Sequence, residues 1–308
     1  MSAESWAAFP PGRHPRWLIP RSPRMARPGL AIFQPMTVGA RIRWESARLL
    51  ARTGAFYLFP ARGESELADA VRSLVGPKDS LAISVARDGR RGVVLVLGHE
   101  GQPISAIKVA LDPPGRRKLA KEADWIARAN RLLERPLSAP RLVDSSDGLL
   151  VIDPVAWVPR WRPWRLPLDL ARGIGRLHGS MGGDRAGHPG HGDFSPWNVM
   201  RTRSGWVLLD WEEATSESPP YDDVFHYVVQ AHALLGRPRA DEVLEGLEGR
   251  GWVGAAFEAY ADGACLTGVD RRQVFVTYLQ RSMPDDLSRT DHVQGVRTRQ
   301  RLLELLDE

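Results

Sequence analysis

Cysteine is nearly absent from the chain, since Cys265 is the single one among 308 residues. One thiol excludes an internal disulfide framework and fits a reducing compartment, and we expect Cys265 to be a small buried apolar residue. No apolar run approaches the length of a membrane span. The N-terminus contains arginines but no continuous apolar region, so no secretory signal is expected. These absences favour a cytoplasmic protein without a transmembrane segment.

Lysine is scarce as well, and arginine carries almost all of the positive charge. Only four of the 42 basic residues are lysine, and the formal net charge is +5. Residues 191–308 contain 12 basic and 20 acidic residues, whereas the rest of the chain contains 30 and 17. This asymmetry indicates a basic first part and an acidic second part. Because basic patches are a weak signal, we expect no nucleic-acid partner.

Proline and arginine dominate residues 1–38. The prolines prevent a long helix, so we expect an extended arm that wraps over the residues that follow. The alternative is a basic surface for a peripheral anionic partner, such as a membrane face or a nucleotide-linked sugar. Residues 39–53 and 64–75 are predicted helices, and in the second one Leu67 and Val71 share a helical face.

Chemically active side chains concentrate in one stretch of the second half. His191-Gly192-Asp193 is followed by Asn198, and a short apolar run then ends at Asp210. The polar residues between Asn198 and the apolar run are typical of a tight turn, so a hairpin of two short strands is predicted. That hairpin would bring Asp193, Asn198 and Asp210 together. Their oxygen atoms are the kind of ligand that suits Mg²⁺.

The order and spacing of these residues resembles the aminoglycoside phosphotransferase and choline kinase family, which is related to the protein kinases. Four parts agree: HGD at 191–193, Asn198 five residues after Asp193, the apolar strand, and Asp210-Trp211-Glu212. The resemblance covers about residues 80–300 and leaves 1–78 outside it. The alternative is a polar hairpin with ordinary turn carboxylates.

The resemblance implies an α+β, two-lobed protein-kinase-like fold, with a small β-rich N-lobe and a mostly helical C-lobe. We expect a Pro/Arg-rich extension with helices over 1–78, a nucleotide-binding N-lobe over 79–157, and a C-lobe with the catalytic loop and acceptor site over 158–308. Periodicity supports this division. It predicts β segments over 81–85, 92–97 and 104–111, and helices over 116–133, 168–178, 241–250, 252–263, 270–282 and 293–307.

The turn from Asp88 to Gly92 lies where a kinase would have a phosphate-covering glycine loop. It contains only Gly89 and Gly92, and it lacks the G-x-G-x-x-G pattern. This turn alone does not indicate nucleotide binding. A plain hairpin and a phosphate-covering loop remain equally open.

Lys108 is more informative, because it lies in the middle of an apolar strand. A lysine in such a strand needs a partner or a ligand, since an unpaired buried charge is costly. Glu122 falls on the apolar face of the next predicted helix. The two would neutralise each other, and the resemblance makes them the Lys–Glu pair that holds ATP phosphates. The competing interpretation is an exposed glutamate paired with a nearby basic residue.

The resemblance also implies a role for each residue of the central stretch. Asp193 would orient the acceptor hydroxyl and take its proton. His191 would order the catalytic loop through a hydrogen bond to the backbone near Asp210. Asn198 and Asp210 would hold Mg²⁺ against the phosphates of ATP, with GTP as the alternative nucleotide.

Residues 149–155 form another apolar run. The resemblance makes it the last strand of the N-lobe, followed by the hinge over the adenine, so Val155 and Trp157 are candidate nucleotide contacts. Residues 160–167 contain three arginines, two tryptophans and two prolines, and are predicted to be a linker or lid. Stacking of these tryptophans on a base and packing against the protein are both open.

Only ten residues separate Asp210 from the helix predicted to start at Tyr221. Protein kinases have a long activation segment and an A-P-E motif there, and neither is present. We therefore expect transfer of the ATP γ-phosphate to a hydroxyl of a small molecule: an aminoglycoside, a sugar, a choline-like alcohol or an amino alcohol. Asp223 resembles the family aspartate that braces the catalytic loop, and N-capping by Asp222 competes with this interpretation. A pseudokinase and a basic scaffold protein without turnover are the alternative functions.

Histidines cluster around the motif, at His178, His188 and His191, with Asp184 nearby. Zinc sites commonly combine histidines with cysteine or place them one helical turn apart. Here His188 and His191 lie in a Gly/Pro-rich loop without a cysteine. We therefore do not expect zinc.

Overall fold

The fold is described from a computed structural model, which covers residues 5–9, 15–180, 188–283 and 290–308. Pro10 and Pro11 of the proline-rich arm, and Asp184 of the histidine-rich segment, lie outside the described residues.

The chain divides into two compact units, which are described separately. Unit 1 comprises Met1–Ala127 and Pro140–Ala156, and unit 2 comprises Arg128–Ala139 and Trp157–Glu308. The domain boundaries expected after residues 78 and 157 stay predictions.

Unit 1 contains most of the strands together with several helices, and helices dominate unit 2. The strands are β1 (Trp6–Phe9), β2 (Trp17–Pro20), β3 (Ala61–Arg62), β4 (Ser80–Val85), β5 (Arg91–Leu97), β6 (Pro103–Ala110), β7 (Leu137–Ser138), β8 (Leu142–Ser146), β9 (Leu149–Ile152), β10 (Val199–Arg201) and β11 (Trp206–Leu208). The helices are α1 (Pro23–Gly29), α2 (Val38–Thr53), α3 (Glu66–Val71), α4 (Pro113–Leu132), α5 (Leu168–Gly179), α6 (Asp222–Leu235), α7 (Ala240–Leu247), α8 (Gly251–Ala264), α9 (Arg271–Arg281) and α10 (Thr290–Asp307).

Unit 1 is built on one antiparallel sheet, whose strands within the described residues follow the order β3-β1-β2-β4-β5-β6-β9-β8. The first part of the chain extends this sheet beyond β4, where Leu18 of β2 pairs with Ile83. The Trp6 indole N–H also donates to the Leu81 carbonyl at 2.7 Å. The proline-rich arm therefore forms a hairpin within the sheet, whereas the sequence predicted an arm wrapped over it.

Both faces of this sheet are buried, because neighbouring residues of a strand point to opposite faces. Leu81 and Ile83 join an apolar cluster that contains Trp6 and the buried side of α3. Ala82, between them, joins a second cluster with Met25 of α1 and residues near α2. Full burial of each large apolar side chain contributes roughly 1.5–3 kcal/mol. Residues of the N-terminal segment thus belong to both cores.

The predicted α+β class is confirmed. Helix α2 matches the predicted 39–53: it begins after Thr37, whose hydroxyl accepts from the Ala40 N–H at 3.1 Å, and it ends at Gly54 in the left-handed conformation. These are ordinary helix start and stop signals. The segment predicted as a helix over 64–75 forms the shorter α3 followed by a single 3₁₀ turn.

Unit 2 packs its helices tightly around α5 and α8. A Cβ on Gly175 of α5 would overlap the Tyr260 carbonyl oxygen of α8, so only glycine allows this approach. A small sheet of order β10-β11-β7 accompanies these helices. Its hairpin has the register Val199 opposite Leu208, and it is the hairpin that the sequence predicts.

Two features bear on the sequence expectations about compartment. The expectation that Cys265 is buried is wrong: the residue is exposed, because it caps α8 in the left-handed conformation where the helix has ended. Among the described residues, no helix combines the length and the apolar character needed to cross a membrane.

Candidate functional site

Asp193 and Asn198 form the centre of the site in unit 2. The Asn198 side chain is buried, and its Nδ2 donates to both the carbonyl oxygen and Oδ2 of Asp193, each at 2.9 Å. The Asp193 side chain remains 37% exposed. Both amide hydrogens of Asn198 are used on Asp193. The amide oxygen of Asn198, Oδ1, is therefore the atom that this side chain can offer to a ligand. The loop therefore presents a carboxylate and an amide oxygen with fixed orientations.

His191 and Asp223 fix the position of this loop through hydrogen bonds. The Asp223 carboxylate at the start of α6 accepts from the backbone N–H groups of His191 and Gly192, at 2.8 and 2.9 Å. The His191 ring is fully buried, and its Nε2 lies 2.8 Å from the Leu209 carbonyl oxygen. Burial lowers the pKa of His191, so the neutral ring donates through Nε2–H. Asp223 thus braces the loop as the resemblance implies, whereas Asp222 forms an ion pair with Arg281.

Asp210 lies at the end of the hairpin, next to the Asp193 loop. The Leu209 N–H donates to the Asn198 carbonyl at 2.8 Å, which fixes the residue before Asp210 to the residue before β10. Asp210 itself has φ 60° and ψ 63°. A non-glycine residue in this left-handed region stores strain, and such strain concentrates at functional sites. The three oxygen-bearing residues predicted as a cluster therefore lie on one hydrogen-bonded frame.

Unit 1 contains the other predicted pair. Lys108 Nζ of β6 donates to Glu122 Oε1 of α4 at 2.6 Å. The Lys108 side chain is 16% exposed and the Glu122 side chain is 1% exposed. A carboxylate this deeply buried needs a cation close to it. The apolar strand and the apolar helix face thus meet at one charged pair, as their patterns predict.

The positions of the two candidate hinge residues, Val155 and Trp157, do not test their predicted contact with a nucleotide. Val155 is half-buried and follows β9 at the end of unit 1. Trp157, also half-buried, opens unit 2, and the Val158 N–H beside it donates to the Arg201 carbonyl at 2.8 Å. Their role as nucleotide contacts stays a prediction.

Sequence reasoning missed His226, which contacts the candidate catalytic carboxylate directly. Its Nε2 lies 3.0 Å from Asp193 Oδ1, and its Nδ1 lies 3.2 Å from the hydroxyl of Tyr278 on α9. With an ionised Asp193, the network assigns Tyr278 O–H as donor to His226 and His226 N–H as donor to Asp193. The signal was available, because His226 lies three residues after Asp223 and so shares its face of α6.

Arg160, in the segment predicted to be a linker or lid, also contacts the loop that contains Asp193 and Asn198. Its guanidinium is buried and donates to the Pro196 carbonyl at 3.3 Å and to the Tyr227 hydroxyl at 2.6 Å. Two further bonds reach the carbonyls of Pro163 and Arg165. Arg160 therefore ties the segment 160–167 to the loop between Asp193 and Asn198.

The histidine cluster is a stacked pair. The rings of His178 and His188 lie 4.5 Å apart at an interplanar angle of 15°, and His188 Nδ1 lies 3.2 Å from the His178 carbonyl. His191 points elsewhere, to Leu209. Within the described ranges, no group of three or more His, Cys, Asp or Glu residues is arranged to hold a metal ion.

The stacked pair makes stability depend on pH. Burial, together with the charge of His188, lowers the pKa of His178 to about 4. An unfolded chain binds a proton on this residue near pH 6.5, so stability is lost as pH falls from 6.5 towards 4. The wild-type free energy of unfolding should fall between pH 7.5 and pH 5, and in His178→Gln this fall should be smaller by about 2 kcal/mol. Urea unfolding at both pH values measures this difference, with His99→Gln, at an exposed histidine, as the surface control. If the free energy of unfolding of His178→Gln fell as much as that of the wild type between these pH values, His178 would not be the source of the pH dependence.

Gly192 is required by the brace that holds the loop. Its φ is +78°, and a Cβ there would overlap the Glu213 carbonyl oxygen. A left-handed conformation alone costs a residue with a Cβ roughly 1–2 kcal/mol. Gly192→Ala should therefore destabilise unit 2 by more than this amount. Gly268→Ala is the matched control, because Gly268 has φ +68° with nothing near the added Cβ. Equal losses in thermal unfolding of the two variants would mean that the overlap with Glu213 is relieved at no cost.

Comparison with known proteins identifies the fold. No profile of a known protein family matches the chain, and no curated protein matches it in sequence. Among solved structures, a candidate fructosamine-3-kinase from Thermobifida fusca is 15% identical with a TM-score of 0.50, over 79% of this chain and 100% of that one. APH(2'')-IIa, solved in a ternary complex with streptomycin and ATP, is 11% identical with a TM-score of 0.50, over 76% and 95%. The chain therefore has the protein-kinase-like fold of these proteins, as the sequence resemblance implied.

Proposed function

We propose that the chain is a small-molecule phosphotransferase, which moves the γ-phosphate of ATP to a hydroxyl group. The observation that carries this proposal is the frame in unit 2, where Asn198 holds both the backbone and the carboxylate of Asp193 beside the hairpin end at Asp210. Phosphoryl transfer depends on positioning and charge neutralisation more than on covalent chemistry. A frame of rigid oxygen donors supplies positioning.

Asp193 would act as the base. Its exposed carboxylate is held by Asn198 at Oδ2 and by His226 at Oδ1. A carboxylate in this position can accept a hydrogen bond from an acceptor hydroxyl and take its proton. His191 would act indirectly, by fixing the loop through Leu209.

Asn198 and Asp210 would hold Mg²⁺. Mg²⁺ takes one or two protein carboxylates together with substrate phosphates, so one carboxylate and one amide oxygen fit its usual protein ligand set. The chemistry of the donors thus supports the metal assignment. When bound, the ion would supply neutralisation of the charge that develops on the β- and γ-phosphates. ATP is the expected nucleotide and GTP the alternative.

In unit 1, Lys108 would bind the α- and β-phosphates, with Glu122 fixing its position. Val155 and Trp157 would contact the base. The acceptor is a small molecule with a hydroxyl group: an aminoglycoside, a sugar, a choline-like alcohol or an amino alcohol. The complex of APH(2'')-IIa with streptomycin and ATP supports this choice of acceptor class, and the acidic second half of the chain favours a cationic acceptor.

Phosphoryl transfer from labelled ATP to an acceptor panel tests the proposal. The purified chain is incubated with Mg²⁺, γ-labelled ATP and one acceptor of each class, with GTP in a parallel series. We expect label on at least one acceptor, seen by mass spectrometry, and loss of it in Asp193→Asn. ADP release that no acceptor stimulates, together with normal Mg·ATP binding, would favour a pseudokinase. Absence of nucleotide binding would favour a basic scaffold protein.

His226 should act as a positioning residue for Asp193. His226→Phe removes one of the two side-chain donors on the carboxylate, and a hydrogen bond to a charged group contributes roughly 1.5–3 kcal/mol. We expect kcat to fall about tenfold or more, with the KM for Mg·ATP nearly unchanged. His226→Gln keeps an N–H donor and should recover part of the loss. A rise in KM with unchanged kcat, or no recovery in His226→Gln, would assign His226 a merely structural role.

A further inference from the structure

A pocket lies in unit 2, and the buried Arg160 is one of the residues that line it. The pocket has a volume of about 540 Å³ and includes both ends of the segment 160–167, the hairpin residues Arg201 and Trp206, and the helix α8. Neither Asp193 nor Asn198 nor Asp210 lines it. Its chemistry comes from arginine and tryptophan, at Arg162, Arg165, Arg201, Trp161, Trp206 and Trp252.

The pocket is strongly cationic. Among the residues that the structure describes, no carboxylate lines it, and Arg162, Arg165 and Arg201 are exposed. Within the described part of the chain, none of these three guanidinium groups forms an ion pair, whereas surface arginines such as Arg141 and Arg239 do. Unneutralised guanidinium groups around a concave surface concentrate anions there. Arginine also binds phosphate and carboxylate groups through two parallel hydrogen bonds.

Two acidic side chains accept hydrogen bonds from tryptophans of the pocket. Asp169 Oδ2 accepts from the Trp206 indole N–H at 2.9 Å, and Glu242 Oε1 accepts from the Trp252 indole N–H at 3.4 Å. These two indoles are thereby oriented, and their polar edges are satisfied. Asp169 and Glu242 do not line the pocket, so the charged side chains on its wall, among the described residues, are arginines.

One residue that lines the pocket is a buried, hydrogen-bonded cation. Arg160 is buried there, and its partners among the described residues are carbonyl groups and the Tyr227 hydroxyl, all of them neutral. Its guanidinium also lies 5.2 Å from the centre of the Trp206 ring. Because these partners are neutral, they do not cancel the positive charge of Arg160, which contributes to the potential in the pocket. Side chains that are already fixed also lose less entropy when a ligand binds.

Trp161 supplies a flat apolar surface beside these charges. Its side chain is 86% exposed, although an indole is among the largest apolar groups that a protein can bury. An exposed aromatic ring next to arginines can stack on a planar ligand, and base or aryl stacking contributes substantially to such binding. The ring therefore favours a ligand with a planar group, and the guanidinium groups favour a ligand with an anionic group.

We propose that this pocket binds a small anion that carries a planar ring, with its phosphate or carboxylate group on the arginines and its ring on Trp161. The volume lies in the range of roughly 300–1,000 Å³ that is typical of small-molecule sites. A concave wall of this size fits such a ligand better than a long polyanion, which would need an extended groove. The inference does not depend on phosphoryl transfer.

Calorimetric titration of the full chain without Mg²⁺ or nucleotide tests the site, with phenyl phosphate, inorganic phosphate and phenol as probes. We expect phenyl phosphate to bind at one site, inorganic phosphate to bind at least tenfold more weakly, and phenol not to bind. Arg162→Gln/Arg165→Gln should weaken phenyl phosphate at least tenfold, and Arg201→Gln should weaken it in the same direction. Trp161→Ala should remove the preference for phenyl phosphate over inorganic phosphate.

Arg203→Gln is the matched control. Arg203 is exposed and lies two residues from Arg201, but it does not line the pocket. It should bind phenyl phosphate as the wild type does. Absence of binding at millimolar probe, affinity that survives in every pocket variant, or an equal loss in Arg203→Gln would each overturn the proposal. Circular dichroism of the exposed-residue variants verifies that they are folded.

Discussion

Asp193→Asn is expected to reduce phosphoryl transfer by roughly 10²–10⁴, which is the usual scale for a positioned acid–base group. The substitution keeps the size of the side chain, and its amide oxygen can still accept from Asn198, while its NH₂ can donate to His226 if that ring changes tautomer. The loop should therefore keep its conformation. What disappears is the carboxylate that takes the proton.

Single-turnover transfer to whichever acceptor is phosphorylated measures this loss. Binding of Mg·ATP should change little, because Asn198 and Asp210 remain, and calorimetry with and without Mg²⁺ measures that control. If Asp193→Asn retained near-normal turnover with a normal structure, Asp193 would have no part in the proton transfer. A fall in nucleotide binding of the same size as the fall in turnover would assign it a structural role.

The second large effect is expected at the buried pair of unit 1. Lys108→Met removes the cation beside a carboxylate that is 1% exposed. Breaking a buried pair from one side costs about 3–5 kcal/mol, because a charge stays in an apolar surrounding. Lys108→Met/Glu122→Gln removes that charge as well. The double variant should therefore be more stable than Lys108→Met, although it contains one more substitution.

Activity should respond differently from stability. If Lys108 binds phosphates, the single variants Lys108→Met and Glu122→Gln should both lose turnover. The double variant should lose little more than the worse single one, since groups that act as a unit are not additive. Restored stability without restored activity is the result that a purely structural pair cannot produce.

Native-state hydrogen exchange of the amides in β6, and in α4 as far as Ala127, measures the stability of unit 1. Lys78→Met is the matched control, because Lys78 lies exposed in a loop before β4. An acylating ATP analogue should label Lys108 in preference to the other three lysines. Fully additive activity losses, or labelling spread over Lys78, Lys118 and Lys121, would place the nucleotide site elsewhere.

Patterns within one element predicted the parts of the site that depend on local geometry. The apolar neighbours of Lys108 and the helical spacing around Glu122 predict that both side chains point into the same core, and the structure brings them to 2.6 Å. The turn residues after Asn198 predict the hairpin that leads to Asp210. Periods of two and 3.6 residues determine such orientations, so a single sequence is sufficient for them.

Contacts between distant segments were harder to predict. The strands β1 and β2 have four residues each and are surrounded by proline and arginine, so their local composition favours an arm. They become strands because β4 offers an edge and two apolar clusters accept Trp6 and Ile19. The strand β4, which pairs with β2, lies about 60 residues further along the chain. Tertiary context of this kind overrides local propensity.

Buried polar contacts show the same limit. Arg160 looks like one of several arginines in a linker, and only the structure shows that it is buried against Tyr227 and Pro196. The contact between His226 and Asp193 needs a helix and a loop to meet, although the helical phase of His226 relative to Asp223 gave a partial signal. Side chains that act across elements leave little trace in the pattern of one element.

The pairing of β2 with β4 also has a kinetic consequence for a chain that is still being synthesised. The β1–β2 hairpin leaves the ribosome before β4, and roughly 60 residues separate it from this partner strand, which takes about 3–12 s at typical elongation rates. Until then its strands have an unpaired edge and an uncovered apolar face, and Trp6 has not reached Leu81. Pairings of high sequence separation form slowly, so unit 1 should depend on chaperones during synthesis more than unit 2 does.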